Sequence, residues 1–210
     1  KVIPSFYQTI SSPELESMRF IRNCIRTPSG QTVISGDNGQ ILILQSSSRS
    51  GILPVIKARR QLKDASDFID FYTFDEGQRM WFSTRWGRLY RLDNLSLKDF
   101  TSIVHFRNKK FRGMDYNKKT RRLFVCADSV LVTGDENGLD TLFSKDRKQF
   151  IPLPYVVHLN EKDGSLLVQT IGLGAFLVSP EGDIRALNKD FNFSSSITSK
   201  DEKMDENVIW

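Results

Sequence analysis

The apolar residues of this chain come in short runs separated by polar turns. The clearest stretch is 67–92, in which three runs alternate with two turns: Phe68–Phe74, Asp75-Glu76-Gly77, Met80-Trp81-Phe82, Trp86-Gly87 and Leu89–Leu92. Runs of this length, rich in aromatic residues and bounded by Gly and Asp, are typical of strands joined by hairpin turns. They are too short and too often interrupted for helices. The pattern predicts three short antiparallel strands.

The same pattern repeats along the chain. If Trp81 marks the second strand of one copy, its counterparts are Val33, Phe124 and Leu167. The first step is 48 residues, the next two are 43 each, and one more step of 43 reaches Trp210. A period in the low forties with several strands per unit is typical of a β-propeller blade, a small sheet that buries its faces only by stacking on neighbours. A β-sandwich with coincidental spacing is the alternative.

We therefore predict an all-β fold of propeller blades, with four copies and the start of a fifth. A lead-in is expected over 1–17 and a partial propeller over 18–210, with blades at about 18–56, 57–106, 107–150 and 151–193 and a fifth beginning at 194–210. Strands such as Ile41–Leu44 are apolar at every position, as stacking on both faces requires. Because this number of copies does not close a larger ring, we expect the chain to be part of one or to self-associate.

One set of residues in the repeat resembles a known family. Copy two has Asp75, Gly77, Trp81, Thr84 and Gly87. Copy four has Asp163, Gly164, Thr170 and Gly174, with Leu167 in place of the tryptophan, and copies one and three match weakly. The combination resembles the two-component regulator propeller repeat of Bacteroidetes-type hybrid histidine kinases. The opening segment, Phe6–Ile21, is similar to the polar, hairpin-like lead-in of such sensors.

The resemblance implies a sensory module rather than an enzyme. It implies that the chain belongs to the periplasmic input region of a histidine kinase, responds to glycan-derived ligands and forms a homodimer in the intact sensor. Contact with the membrane is then expected only through a downstream segment, because no apolar stretch here approaches the roughly 18 residues of a spanning helix. A propeller-fold enzyme acting on glycans and a protein-interaction scaffold are the alternatives.

The distribution of basic residues bears on the kind of partner that the chain could bind. The chain has 30 basic and 25 acidic residues, a net charge of +5. The basic residues form three clusters: Lys57–Arg60, Lys109–Arg112 and Lys118–Arg122. Such clusters suit anionic partners, including sulfated or uronic sugars, but lysine is also common on solvated strand edges. No nucleic-acid-binding motif accompanies them, so no nucleic-acid partner is expected.

The sequence contains no catalytic or metal-binding constellation. Cys24 and Cys126 lie two copies apart, which predicts two buried small apolar residues rather than a disulfide. The two histidines, His105 and His158, have no ligand pattern around them, so we expect neither a metal nor a cofactor. Glycoside hydrolysis uses one pair of carboxylates, and both candidate pairs fall in turns, where acidic residues bond to the backbone: Asp75/Glu76 and Asp135/Glu136.

A candidate ligand surface remains in the turn after the second strand of copy two. Trp86 lies there between Arg85 and Arg88, where the other copies have Asn38 or Leu173, so the repeat does not require an aromatic residue. An exposed aromatic side chain beside two arginines suits stacking on a sugar face. The alternative is that Trp86 folds back over a neighbouring strand.

Overall fold

The computed structural model describes residues 13–18, 20–45, 55–103, 110–144, 146 and 148–187. The chain divides into two compact units, Lys1–Phe68 and Ile69–Trp210, which are described one after the other. The first twelve residues of the expected lead-in and the expected start of a fifth copy, 194–210, lie outside the described residues.

The described residues contain sixteen strands, one short α-helix and one 3₁₀ turn, which lies at Thr101–Ile103 in the second unit. The first unit contains α1 (Pro13–Glu16), β1 (Ile21–Arg26), β2 (Gln31–Gly36), β3 (Gln40–Gln45) and β4 (Val55–Gln61). The second unit contains β5 (Ile69–Phe74), β6 (Met80–Thr84), β7 (Leu89–Asp93), β8 (Ser96–Asp99), β9 (Phe111–Asn117), β10 (Arg122–Ala127), β11 (Val130–Asp135), β12 (Gly138–Thr141), β13 (Pro154–Leu159), β14 (Leu166–Thr170), β15 (Gly174–Val178) and β16 (Ile184–Ala186). The strands form four antiparallel sheets of four, each in chain order. The all-β fold of propeller blades is confirmed.

The first unit is one sheet with a helical turn packed on it. Pro13 occupies the first position of α1, where its missing N–H costs no hydrogen bond, and its carbonyl accepts from Ser17 N at 3.0 Å. The buried side chain of Met18 packs on Ile34 and Leu42. The described part of the lead-in is therefore helical rather than hairpin-like, because this turn places Met18 on the apolar face of the sheet.

The outer strand of the first sheet extends past the expected blade boundary. That boundary, at residue 56, falls within β4, and the basic cluster Lys57–Arg60 lies on this edge strand. β4 alternates between exposed and half-buried positions and has no fully buried residue. A charged edge strand guards a sheet against further pairing, and its composition gives little indication that it is a strand.

Three sheets stack in the second unit through their first strands. β9 packs beside β5 on one side and beside β13 on the other. The close approach depends on Gly113 in β9, because a Cβ there would lie 2.6 Å from the carbonyl oxygen of Tyr155. Over this glycine the rings of Phe71 and Tyr155 meet edge to face at 5.7 Å, which links β5 to β13.

The repeat positions identified in the sequence are structurally equivalent. Trp81, Phe124 and Leu167 each lie in the second strand of a sheet, paired on one side with Thr73, Asp115 and His158 of the first strand. The prediction that they occupy equivalent strand positions is confirmed. No helix among the described residues exceeds one turn.

The strands alternate between two inter-sheet cores. In β10, Leu123 and Val125 pack with Trp81 of the preceding sheet, whereas Phe124 and Cys126 pack with Val168 and other residues of the following sheet. A central strand of the stack therefore has no solvent-facing side, which explains its continuous apolar sequence.

Trp81 is held by a buried carboxylate in the preceding turn. The indole Nε1 donates to Asp75 Oδ2 at 3.2 Å, and the same carboxylate accepts from Gly77 N, from Arg79 N and from Arg79 Nε at 2.7 Å. Both carboxylate oxygens of Asp75 therefore accept hydrogen bonds within this turn and from Trp81. This hydrogen-bonded unit explains the spacing from Asp75 to Trp81 in the sequence repeat.

A buried arginine extends this unit to the next sheet. The guanidinium of Arg91 lies 5.1 Å from the Trp81 ring and 5.0 Å from the Phe100 ring. It also donates to Glu136, at the β11–β12 turn of the next sheet. Charge pairing and cation–π contacts thus join two blades around one indole.

The cysteine expectation is half right. Cys126 is buried in the core and its thiol is free, but Cys24 is exposed, also as a free thiol. Strand alternation is the reason, since Ile25 occupies the buried position of β1 and its neighbour Cys24 points to the opposite face.

Replacing Trp81 with Ala should lower the free energy of unfolding by about 3–5 kcal/mol, because the indole is only 3% exposed and its removal leaves a cavity. Trp81→Phe keeps a ring and should lose less, including about 0.5–1.5 kcal/mol for the lost hydrogen bond to Asp75 Oδ2, which keeps its bond from Arg79 Nε. Urea unfolding of both variants measures which substitution lowers the free energy of unfolding more. Equal losses in the two would contradict the role given to the packed ring.

Candidate functional site

The turn that presents Trp86 is a three-residue hairpin, Arg85–Gly87. Gly87 N donates to Thr84 O at 2.8 Å, Arg88 N to Thr84 Oγ1 at 3.1 Å, and Thr84 N to Arg88 O at 3.0 Å. These bonds fix the turn from within, so the Trp86 side chain is not needed to close it. Trp86 is 51% exposed, which places half of the indole in solvent.

Gly87 allows this turn to pack closely against the next blade. Its φ is +82°, and a Cβ there would lie 2.4 Å from Lys110 Cα. Its carbonyl accepts from Phe111 N at 3.1 Å, at the start of β9. The equivalent Gly39, with φ of +73°, accepts from Leu62 N in the same way in the first unit. The glycine of the sequence repeat is therefore an inter-strand contact point.

The packing of β9 adds two cations that the sequence analysis did not include. Lys110 Nζ lies 6.0 Å from the centre of the Trp86 ring, and Arg112 donates to the Arg85 carbonyl at 3.2 Å. Together Arg85, Trp86, Arg88, Lys110 and Arg112 form what we call the Trp86 surface. The basic run at 109–112 was visible in the sequence, but only the contact between two blades brings it to the tryptophan.

The two carboxylate pairs considered for catalysis are occupied. Glu136 is bonded to Arg91, and that hydrogen bond lowers the pKa of the Glu136 carboxyl. Glu76 accepts from the Tyr116 hydroxyl, which lowers the pKa of Glu76 in the same manner. A general acid needs a raised pKa, so neither glutamate is prepared for proton donation.

One half-buried carboxylate, that of Asp115, contacts the blades on both sides of its own. It accepts from Thr73 Oγ1 at 3.3 Å and from Leu159 N at 2.8 Å, and it lies near His158. Burial raises the pKa of Asp115, while the Leu159 and Tyr116 amides and His158 oppose the rise. Thr73, Asp115 and His158 hold equivalent positions on β5, β9 and β13, so this polar line joins the first strands of the blades.

Within the described residues, no group of three His, Cys, Asp or Glu side chains is arranged to hold a metal ion. His158 is half-buried in β13, and His105 lies outside the described residues. In the same part of the chain, no helix has the length and apolar character needed to cross a membrane.

Sequence comparison finds no matching family model and no matching curated protein. Comparison of structures finds many similar chains. The extracellular domain of a putative one-component system from B. thetaiotaomicron has a TM-score of 0.60 at 12% identity, with 83% of this chain and 26% of that chain covered. Virginiamycin B lyase from Staphylococcus aureus gives 0.57 at 10% identity, with 84% and 57% covered. A chain of the nidogen–laminin complex gives 0.50 at 13%, with 74% and 60% covered.

These likenesses establish the class, a protein of β-propeller blades. At such low identity they show the fold alone, because one fold supports unrelated functions. The chain spans about half the length of the lyase chains it matches and about a quarter of the sensor domain.

Gly87→Ala should lower the free energy of unfolding by about 1–3 kcal/mol, because alanine must adopt a positive φ and displace Lys110. Gly138→Ala is the matched control, since a Cβ at Gly138 has open space around it and no positive φ is required. Chemical unfolding of both variants makes the comparison. A Gly87→Ala protein as stable as the Gly138→Ala protein would show that the turn is not held against β9.

Asp115→Asn should remove a pH-dependent part of the stability. Because the pKa of Asp115 is raised, the folded state binds the proton more tightly, and this contribution is fully present below the unfolded pKa of about 4. It is lost as pH rises through the folded pKa. The difference in unfolding free energy, wild type minus Asp115→Asn, should therefore decline with rising pH in urea titrations. A difference that grows with pH would contradict the assignment.

Proposed function

We propose that this chain is a ligand-binding propeller region in the periplasmic sensor of a two-component histidine kinase. In this proposal it responds to glycan-derived ligands and passes the signal across the membrane through a homodimer and a downstream membrane segment. The observation that carries the proposal is the Trp86 surface, where a half-exposed indole lies 6.0 Å from Lys110 Nζ on a turn that also contains Arg85 and is bonded by Arg112.

The chemistry of that surface suits an anionic sugar. The flat face of an indole packs on the C–H face of a sugar ring, and stacking contacts of aromatic rings are worth about 0.5–1.5 kcal/mol beyond area burial. The arginines Arg85 and Arg88 supply bidentate donors for carboxylate or sulfate groups. The turn closes through its own backbone bonds, and half of the indole is exposed to solvent, where a ligand can contact it.

Binding is favoured over hydrolysis by the state of the carboxylates. The lowered pKa values of Glu76 and Glu136, and their ion-pair or hydrogen-bond partners, leave neither glutamate as the raised-pKa acid that a glycosidase needs. A glycan-active enzyme and an interaction scaffold remain the alternatives, and the experiments below separate them from a sensor.

Trp86→Ala should weaken binding of an anionic disaccharide by about 3- to 10-fold, the free-energy equivalent of one lost stacking contact. The melting temperature should change by no more than about 2 °C, since the side chain is exposed. Calorimetric titration with sulfated, uronate and neutral disaccharides measures the affinity. A clear fall in melting temperature with unchanged affinity would make Trp86 a structural residue and end the site proposal.

Leu173→Ala is the matched control for the binding experiment. Leu173 is an exposed residue of the equivalent turn in the fourth sheet, between two glycines rather than two arginines. Its removal should leave the affinity unchanged. The full reading frame of the gene tests the signalling role separately: a membrane helix followed by a kinase core supports it, and their absence refutes it whatever the ligand result.

A further inference from the structure

A groove lies between the third sheet, β9–β12, and the fourth sheet, β13–β16. Its volume is about 1180 Å³, large enough for a small ligand. It opens beside the β9–β10 turn, which follows Asn117 at the end of β9, whereas the Trp86 surface adjoins Phe111 at the start of β9. The groove is therefore a different place from the Trp86 surface, and an inference about it does not rest on the proposed function.

The floor of the groove is the exposed end of an inter-sheet core. Its apolar residues come from both sheets: Phe124, Leu142, Leu159, Leu166 and Val178. At the mouth, Phe143 is 47% exposed. Phe143 is held in place by pairing with Phe150 across a short hairpin, which Ser144 N closes by donating to Gln149 O at 2.8 Å. A fixed, half-exposed ring thus borders an apolar floor.

The groove is tied together across the two sheets. Lys119 Nζ donates to the Glu161 carbonyl at 3.2 Å, and Lys118 Nζ lies 3.9 Å from Glu161 Oε1. These contacts join the β9–β10 turn to the β13–β14 turn. The lysines are therefore occupied in holding the walls, and the opening has a defined width.

Three polar side chains on the third sheet face the groove without a partner among the described residues. The Thr133 hydroxyl oxygen is buried and makes no hydrogen bond. Arg122 and Asp140 line the groove and make no ion pair with the described part of the chain. A buried hydroxyl without a partner costs free energy, so its presence points to a group that bonds to it when the site is filled.

The positions of these groups define the shape of a ligand. Thr133 pairs with Phe124 on β10 and with Asp140 on β12, so all three lie on one row across the sheet. Arg122 lies on β10, two strands from Asp140, which is about 10 Å across the sheet. A ligand that reaches both must carry an anionic group at one end and hydrogen-bond donors at the other.

We propose that this groove is a binding site for a short uronate-bearing oligosaccharide. The carboxylate pairs with the Arg122 guanidinium, and sugar hydroxyls bond to the Thr133 hydroxyl and the Asp140 carboxylate. The apolar face of one ring packs on Phe143. This ligand class satisfies the free cation, the free carboxylate and the exposed ring together, whereas a purely apolar ligand leaves the first two unpaired.

Arg122→Gln should weaken binding of uronate di- and trisaccharides about 10-fold or more, since a charge-assisted pair is lost. Arg122 is exposed, so the variant should fold normally. Titration calorimetry on the full chain uses uronate oligosaccharides and their carboxyl-reduced, neutral counterparts. The neutral sugars should bind the wild type and Arg122→Gln equally weakly.

Thr133→Val provides a second measurement that a structural role alone does not explain. Removing a buried hydroxyl without a partner should leave the ligand-free protein equally stable or more stable, while affinity for the uronate sugar falls. Thr133→Val with lower stability in the absence of ligand and unchanged affinity would overturn the role of the hydroxyl and the site built on it.

The remaining outcomes separate this site from the Trp86 surface. Binding that survives Trp86→Ala and fails in Arg122→Gln supports the groove. Binding that fails only in Trp86→Ala assigns the sugar to the Trp86 surface and overturns the groove. No uronate binding at millimolar concentrations, equal binding of carboxyl-reduced sugars, or binding of carboxylated peptides in place of sugars also overturns it.

Discussion

The need to cover both faces of each sheet governs this protein. In β10, neighbouring residues belong to different inter-sheet cores, with Val125 on one side and Cys126 on the other, and both are fully buried. A strand of this kind is insoluble by itself and stable only between two other sheets. Each blade therefore depends on its neighbours, and residues that fix the distance between blades matter as much as those that fill them.

Close stacking places polar groups where they must be paired. Gly113 allows β9 and β13 to approach until a methyl group no longer fits, and Asp115 then accepts hydrogen bonds from the blades on both sides. At the outer part of the same stack, Arg91 lies over Trp81 and reaches Glu136. Buried polar groups cost free energy unless they are hydrogen-bonded. These contacts therefore favour one register between neighbouring blades over other registers that would bury a similar apolar area.

The regular spacing of apolar residues in the repeat made the fold predictable from the sequence. The contacts between copies were not predictable in this way. Trp81 and Phe124 mark equivalent strands because each blade has a buried apolar residue at that place. In contrast, β4 carries Lys57 and Arg59 and lacks the apolar pattern of a strand. Lys110 lies near Trp86 only because β9 packs on the turn that contains Trp86. The spacing of residues in the sequence does not predict this contact. The repeat thus identifies the core positions that the blades have in common. The candidate site consists of turn residues that differ from blade to blade.

That distinction explains where the candidate binding residues lie in the stack. The strands are constrained at nearly every position by burial, so a change there alters stability before it alters recognition. The turns at either end close through backbone bonds, as at Thr84 and Arg88, and leave their side chains free to vary. In equivalent turns the chain has an exposed Trp86 in one blade and an exposed Leu173 in another. A packed stack with variable turns therefore lets the side chains at the ends of neighbouring blades change without changing the core.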